Sequence, residues 1–147
     1  MPIGGCDAIK HWTNLQIINK LGKPFYIMLD SDKTKEVMDS PNLIKLRKLG
    51  YNDSNCGVTK KREIESYIHP DYFRNLTRPI EIEYGDWDAV KKICGEHPMS
   101  GRLGGKGVCD RHFLKLTFPL LRKTFCPDGE HDEFLDIYHK IHDMCEA

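Results

Sequence analysis

The sequence predicts an α/β domain: a parallel sheet flanked by helices, with additional helices towards the C-terminal end. Three observations lead there. A continuous apolar run, Phe25 to Leu29, reads as a strand buried on both faces, the pattern of parallel rather than antiparallel sheets. Over residues 1–68, segments of strand and helix character alternate, as in βαβ architectures. Residues 69–147 then read as an irregular stretch followed by helices. A chain of 147 residues fits one domain with its own core, so 1–147 is taken as a single unit whose α/β core is 1–68.

The elements follow in order. The opening "PIGGC" reads as a strand end and a tight glycine turn. Ile9, Trp12, Leu15, Ile18 and Leu21 recur at three-residue steps, which predicts an amphipathic helix over 7–21 stopped by Gly22. The buried strand spans 24–30. Ser40-Pro41 supplies a cap and a proline at the first helical position, and the helix it opens ends at Gly50. A short strand over Cys56 to Thr59 comes next, with Thr59 placed to cap "KKREIESYI".

Residues 69–85 contain Pro70, Pro79 and Gly85 and read as irregular. A helix around Trp87 to Cys94 precedes the glycine-rich loop "HPMSGRLGGKG". Residues 108–125 read as a helix or a broken pair around Thr117-Phe118-Pro119. A final helix over 132–145 is expected to bury Phe134, Ile137, Tyr138, Ile141 and Cys145. Because the chain starts almost inside a strand, it reads as the latter part of a domain, incomplete at its N-terminal end.

Composition narrows the function. Twenty-two basic residues balance 22 acidic ones. A stand-alone nucleic-acid binder gripped by a basic surface is thereby disfavoured, although another domain can supply the grip. No apolar run approaches membrane-spanning length and the first residues lack a signal pattern, so a soluble cytoplasmic protein is expected. Cys6, Cys56, Cys94, Cys109, Cys126 and Cys145 are scattered without a CxxC pair, the pattern of reduced, mostly buried thiols. Cys109, His112, His142 and Cys145 form an alternative, a small zinc-stabilised protein. Structural zinc sites, however, usually draw tight ligand pairs from a loop-rich segment, and these lie in apparent helices.

The chemistry concentrates at Asp30 and Asp32, where the strand ends. Residues two apart on a strand project to one face, with Cα atoms roughly 6–7 Å apart. In open α/β sheets functional groups gather at the carboxyl ends of strands. Two such acids repel one another, and a bound divalent cation removes the conflict. Magnesium takes a few carboxylate oxygens, keeps several waters and accepts phosphate, so the pair suits phosphoryl transfer. The alternative is that both acids, with Ser31 between them, cap the following turn.

"IMLDSD" at 27–32 followed by "TKKREIESYI" at 59–68 resembles the Toprim domain of the OLD-family (overcoming lysogenization defect) nucleases. "PIGGCDAIKHW" is similar to that family's second strand and glycine turn, "GRLGGKGVCDRHF" to its late segment bearing a functional lysine, and "DEFLDIYHKI" to its closing helix. The likeness covers nearly the whole chain. It departs at the front, where the family's first strand and its "VEG" glutamate would lie before Met1.

The resemblance implies a Toprim-like sheet, a Mg2+- or Mn2+-dependent DNA endonuclease with a possible two-metal site, and an ATPase domain or subunit supplied elsewhere. It makes Asp30, Asp32 and Glu65 the metal ligands and catalytic acids, with Glu63 beside them. Lys106 in "GGKG" would meet the scissile phosphate, and Arg102, Lys60 and Lys61 would contact DNA. The stretch is not a Walker loop, since it lacks the GxxxxGK spacing. Plainer readings stand beside these: a solvated charged turn over 60–65, and a surface loop at Lys106. The rival function is a Toprim-like binding or regulatory module without catalysis.

Overall fold

The computed structural model describes residues 20, 22, 24–112, 115 and 132–146. The expected opening strand, most of the helix over 7–21, and nearly all of 113–131 lie outside the described residues. Within them the protein is mixed α/β, with a two-stranded parallel sheet and several short helices. Strand β1 is Ile27–Leu29 and β2 is Cys56–Val58, paired in parallel with Ile27 opposite Cys56, Met28 opposite Gly57 and Leu29 opposite Val58. Single backbone bonds extend the pairing at each end, from Ile27 N to Asn55 O and from Thr59 N to Leu29 O.

The crossover between the strands is helix α1, Pro41–Lys48. It starts as its sequence demands: the Ser40 side chain accepts from Leu43 N, Pro41 stands where no N–H is needed, and Gly50 leaves the last turn at φ 89°. Ile27, Leu46, Tyr51 and Cys56 form one small core under this unit. The strand is less enclosed than its apolar run suggests. Ile27 is buried, but Met28 and Leu29 are half-buried, and a cavity of about 300 Å³ lined by Tyr26, Met28, Val58 and Ile137 opens beside them.

A second core lies C-terminal to the sheet. Helix α2, Pro70–Arg74, falls in the stretch expected to be irregular. Pro70 is the first helical residue and the His69 side chain accepts from Asp71 N, so the proline marks a helix start. Helix α3 is Val90–Glu96. The expected glycine-rich loop instead folds as helix α4, Ser100–Leu103, then a 3-10 turn, Gly105–Gly107, and helix α5, Val108–His112. Gly104 at φ 91° makes that sequence possible, ending α4 in the left-handed conformation while buried Leu103 and Val108 anchor both sides. Ile68, Phe73, Ile80, Val90, Cys94 and Leu103 complete the core.

The last helix, α6, spans Glu133–Glu146. The expected burial of its apolar stripe is corrected by the structure. Phe134 and Ile137 are half-buried, whereas Tyr138, Ile141 and Cys145 are exposed. The helix is docked through its first turns, where Glu133 is buried and Phe134 meets the Tyr67 ring edge-on at 5.0 Å. No helix among the described residues is long and apolar enough to cross a membrane.

Candidate functional site at the end of the first strand

Two loops are zipped together where β1 and β2 end. Ser31, fully buried, donates its N–H to Thr59 Oγ1 at 2.9 Å and its hydroxyl to Lys61 O at 2.6 Å. Its carbonyl accepts from the Ser40 hydroxyl at 2.6 Å, and Asp32 N donates to Arg62 O at 2.9 Å. Thr59 is therefore a cross-strand acceptor rather than a helix cap. Residues 60–63 turn without forming a helix, and only Ile64–Tyr67 makes a 3-10 turn. The zipper also holds Asp30 against the "REIE" segment.

Asp30 Oδ1 accepts from Ile64 N at 2.8 Å, while Oδ2 lies 3.1 Å from Lys91 Nζ. Glu65 reaches the same ammonium from the 3-10 turn, with Oε2 at 3.0 Å. That oxygen is buried and has no well-aligned hydrogen bond, so charge holds it to Lys91. Glu63 Oε1 accepts from Lys91 N at 2.7 Å. Helix α3 has no capping side chain of its own at Ala89, and Glu63 supplies the missing acceptor from another segment. On an α-helix two residues two apart would point in different directions. Because the backbone there is not α-helical, both instead reach Lys91, one at its backbone and one at its ammonium.

Electrostatics follow from this enclosure. Burial pushes the Glu65 carboxyl above the usual carboxylate range, and the Lys91 ammonium pulls part of the way back. For Lys91 burial acts downwards, but Asp30 and Glu65 outweigh it and hold the ammonium charged well above its ordinary range. One cation thus joins two carboxylates from separate segments at the carboxyl end of β1.

The other expected residues are distributed differently. Asp32 adopts φ 55°, uncommon for a residue with a side chain, and its Oδ2 accepts from Asn42 Nδ2 at 2.8 Å. The same Asn42 amide donates to Asp30 O, so Asp32 is held towards α1. The Lys61 ammonium pairs with Asp86 at 2.8 Å and sits 5.3 Å from the Tyr67 ring centre. Lys60 N donates to Glu133 Oε1 at 2.7 Å, and its side chain lines the cavity beside the sheet. Arg102 Nη2 donates to Arg78 O. Lys106 belongs to the Gly105–Gly107 turn, which packs against α3; its side chain lies outside the described part of the structure.

His112, one of the four residues of the zinc alternative, is buried with Nδ1 3.1 Å from the Tyr72 hydroxyl and Nε2 3.1 Å from Arg102 O. Both ring nitrogens are engaged inside the protein, which leaves neither aimed at a metal in this arrangement. Among the described residues no group of three or more His, Cys, Asp or Glu side chains is arranged to hold a metal ion.

No family model, curated protein or solved structure matches the chain. Hard, anionic oxygens converging on one positive point are the donor chemistry that Mg2+ or Mn2+ requires. Asp30 and Glu65 supply oxygens of that kind, and the cation they meet in this structure is the Lys91 ammonium. Asp32 and Glu63, turned to Asn42 and to the α3 backbone, do not join them in this arrangement. Sequence reasoning missed Lys91. "VKKI" places two lysines side by side, and only the packing of α3 selects the first of them.

Proposed function

We propose that this chain is a Toprim-like domain for metal-dependent hydrolysis of DNA phosphodiesters, working with an ATPase domain or subunit supplied elsewhere. The observation that carries the reading is the convergence of Asp30 and Glu65 on a single cation position at the end of β1. Mg2+ or Mn2+ held there would supply Lewis-acid stabilisation of charge on the phosphate and a hydroxide nucleophile near neutral pH. The chain's own residues do the positioning. Ile64 N orients Asp30, burial holds Glu65 in place, and the Ser31 knot keeps the two segments in register.

The test is nicking of a supercoiled plasmid in Mn2+ by this chain. Asp30→Asn and Glu65→Gln are each expected to lower the rate by more than about 100-fold, at least the loss caused by altering residues that merely support a metal ligand. Unchanged nicking in both variants would remove the proposal.

A second reading, a Toprim-like binding or regulatory module, draws on Lys91 itself. An acid pair that already shares an internal cation has part of its charge offset without metal. Absence of both nicking and Mn2+ binding in the same protein would select it.

A further inference from the structure

The position of the Lys91 ammonium points to a second role for that residue: we propose that it is a displaceable counter-cation, which a divalent ion must evict before Asp30 and Glu65 can bind it. The inference rests on the reading of those two acids as metal ligands and adds what regulates their occupancy. Three observations carry it. The Lys91 Nζ lies 3.1 Å from Asp30 Oδ2 and 3.0 Å from Glu65 Oε2, so it sits against oxygens that a metal would take. The Glu65 side chain is 5% exposed, and a buried carboxylate without a cation is costly, so the oxygen exchanges one positive partner for another. Lys91 itself is 38% exposed, with a flexible four-carbon stem, so its ammonium has a route to water that the glutamate lacks.

The backbone arrangement suits exchange. Lys91 is fixed at its N–H by Glu63 and by neighbouring Val90, which is fully buried in the second core. Helix α3 stays anchored when the side chain swings out. Eviction is thus a rotamer change at one residue, with the fold and the Asp30–Ile64 bond intact. Lys92, next in sequence and mostly exposed, pairs at 3.9 Å with Glu96 on its own helix and serves as an internal reference.

Three measurements test this together. Titration of Mn2+ into the wild-type chain and into Lys91→Met, followed by calorimetry, should show about ten- to a hundredfold tighter binding in the variant, the scale on which neighbours of metal ligands act. Thermal unfolding should likewise show a larger Mn2+-induced rise in Tm for Lys91→Met than for wild type. Because that variant leaves Asp30 and Glu65 without their shared cation, the third measurement uses wild type alone. Acetylation of lysine amines, read residue by residue by mass spectrometry, should rise at Lys91 on saturation with Mg2+ while Lys92 stays constant.

Binding by wild type with equal or weaker binding by folded Lys91→Met overturns the inference and leaves the metal-site reading standing. Metal binding without any change in Lys91 labelling does the same. Failure of both proteins to bind Mn2+ overturns the metal-site reading, and the inference falls with it.

Discussion

Tyr67 shows how one side chain joins distant parts of this chain. Its hydroxyl donates to the buried Glu133 at the start of α6, and its ring meets both Phe134 and the Lys61 ammonium. Burial and the neighbouring carboxylate push its phenol far above the ordinary range, so it stays a donor at any physiological pH. Tyr67→Phe leaves the Glu133 carboxylate short of a partner and is expected to cost about 1–3 kcal/mol, read as a lower urea midpoint with an unchanged m-value. His112 gives a pH-dependent counterpart. Burial holds its imidazole below the ordinary range, so the unfolded chain takes up the proton first. The stability this contributes is fully present above about pH 6.5 and declines as pH falls through that value. Urea midpoints measured from pH 7.5 to 5.5 should therefore fall more steeply for wild type than for His112→Gln.

At the scale of elements, local sequence succeeds where local chemistry decides. Ser40-Pro41 opens α1 as expected because a cap acceptor and a missing N–H act within one turn. The cap also has a tertiary duty, since the Ser40 hydroxyl donates to Ser31 O within the loop that carries Asp30. Ser40→Ala should thus cost about 1–2 kcal/mol, the upper part of the usual capping range, in chemical denaturation. It should also weaken Mn2+ binding by loosening the knot. The elements that differed from expectation did so for matching reasons. Residues 60–67 carry helix-compatible letters, but Ser31 and Asp32 capture the Thr59 hydroxyl and the carbonyls of Lys61 and Arg62. The "HPMSGRLGGKG" glycines look like a loop, yet two of them allow positive φ where helical turns meet, and buried Leu103 and Val108 hold those turns in place. Helix α6 has an apolar stripe by period, and its docking through the first turns leaves Tyr138 and Ile141 in solvent.

At the scale of the molecule, the described residues form two small cores, one beneath the sheet and one around Phe73 and Val90, and Lys91, next to Val90, reaches from the second to Asp30 at the end of β1. A site at such a junction couples stability to occupancy. The Asp30–Lys91 contact links the strand unit to α3, and a metal ion bound by Asp30 and Glu65 would brace the strand unit against the 3-10 turn. By itself the sequence determined that a strand runs into acids, that a capped helix and a second strand follow, and that an acidic segment comes after them. Those features depend on periodicity, capping and turn chemistry, which act over a few residues. Only the tertiary structure decided which acids meet, that Asp32 and Glu63 serve Asn42 and α3 instead, and that Lys91 bridges the remaining pair. Asp30 and Lys91 are 61 positions apart, and charges so distant along the chain are matched by packing, to which local patterns are blind.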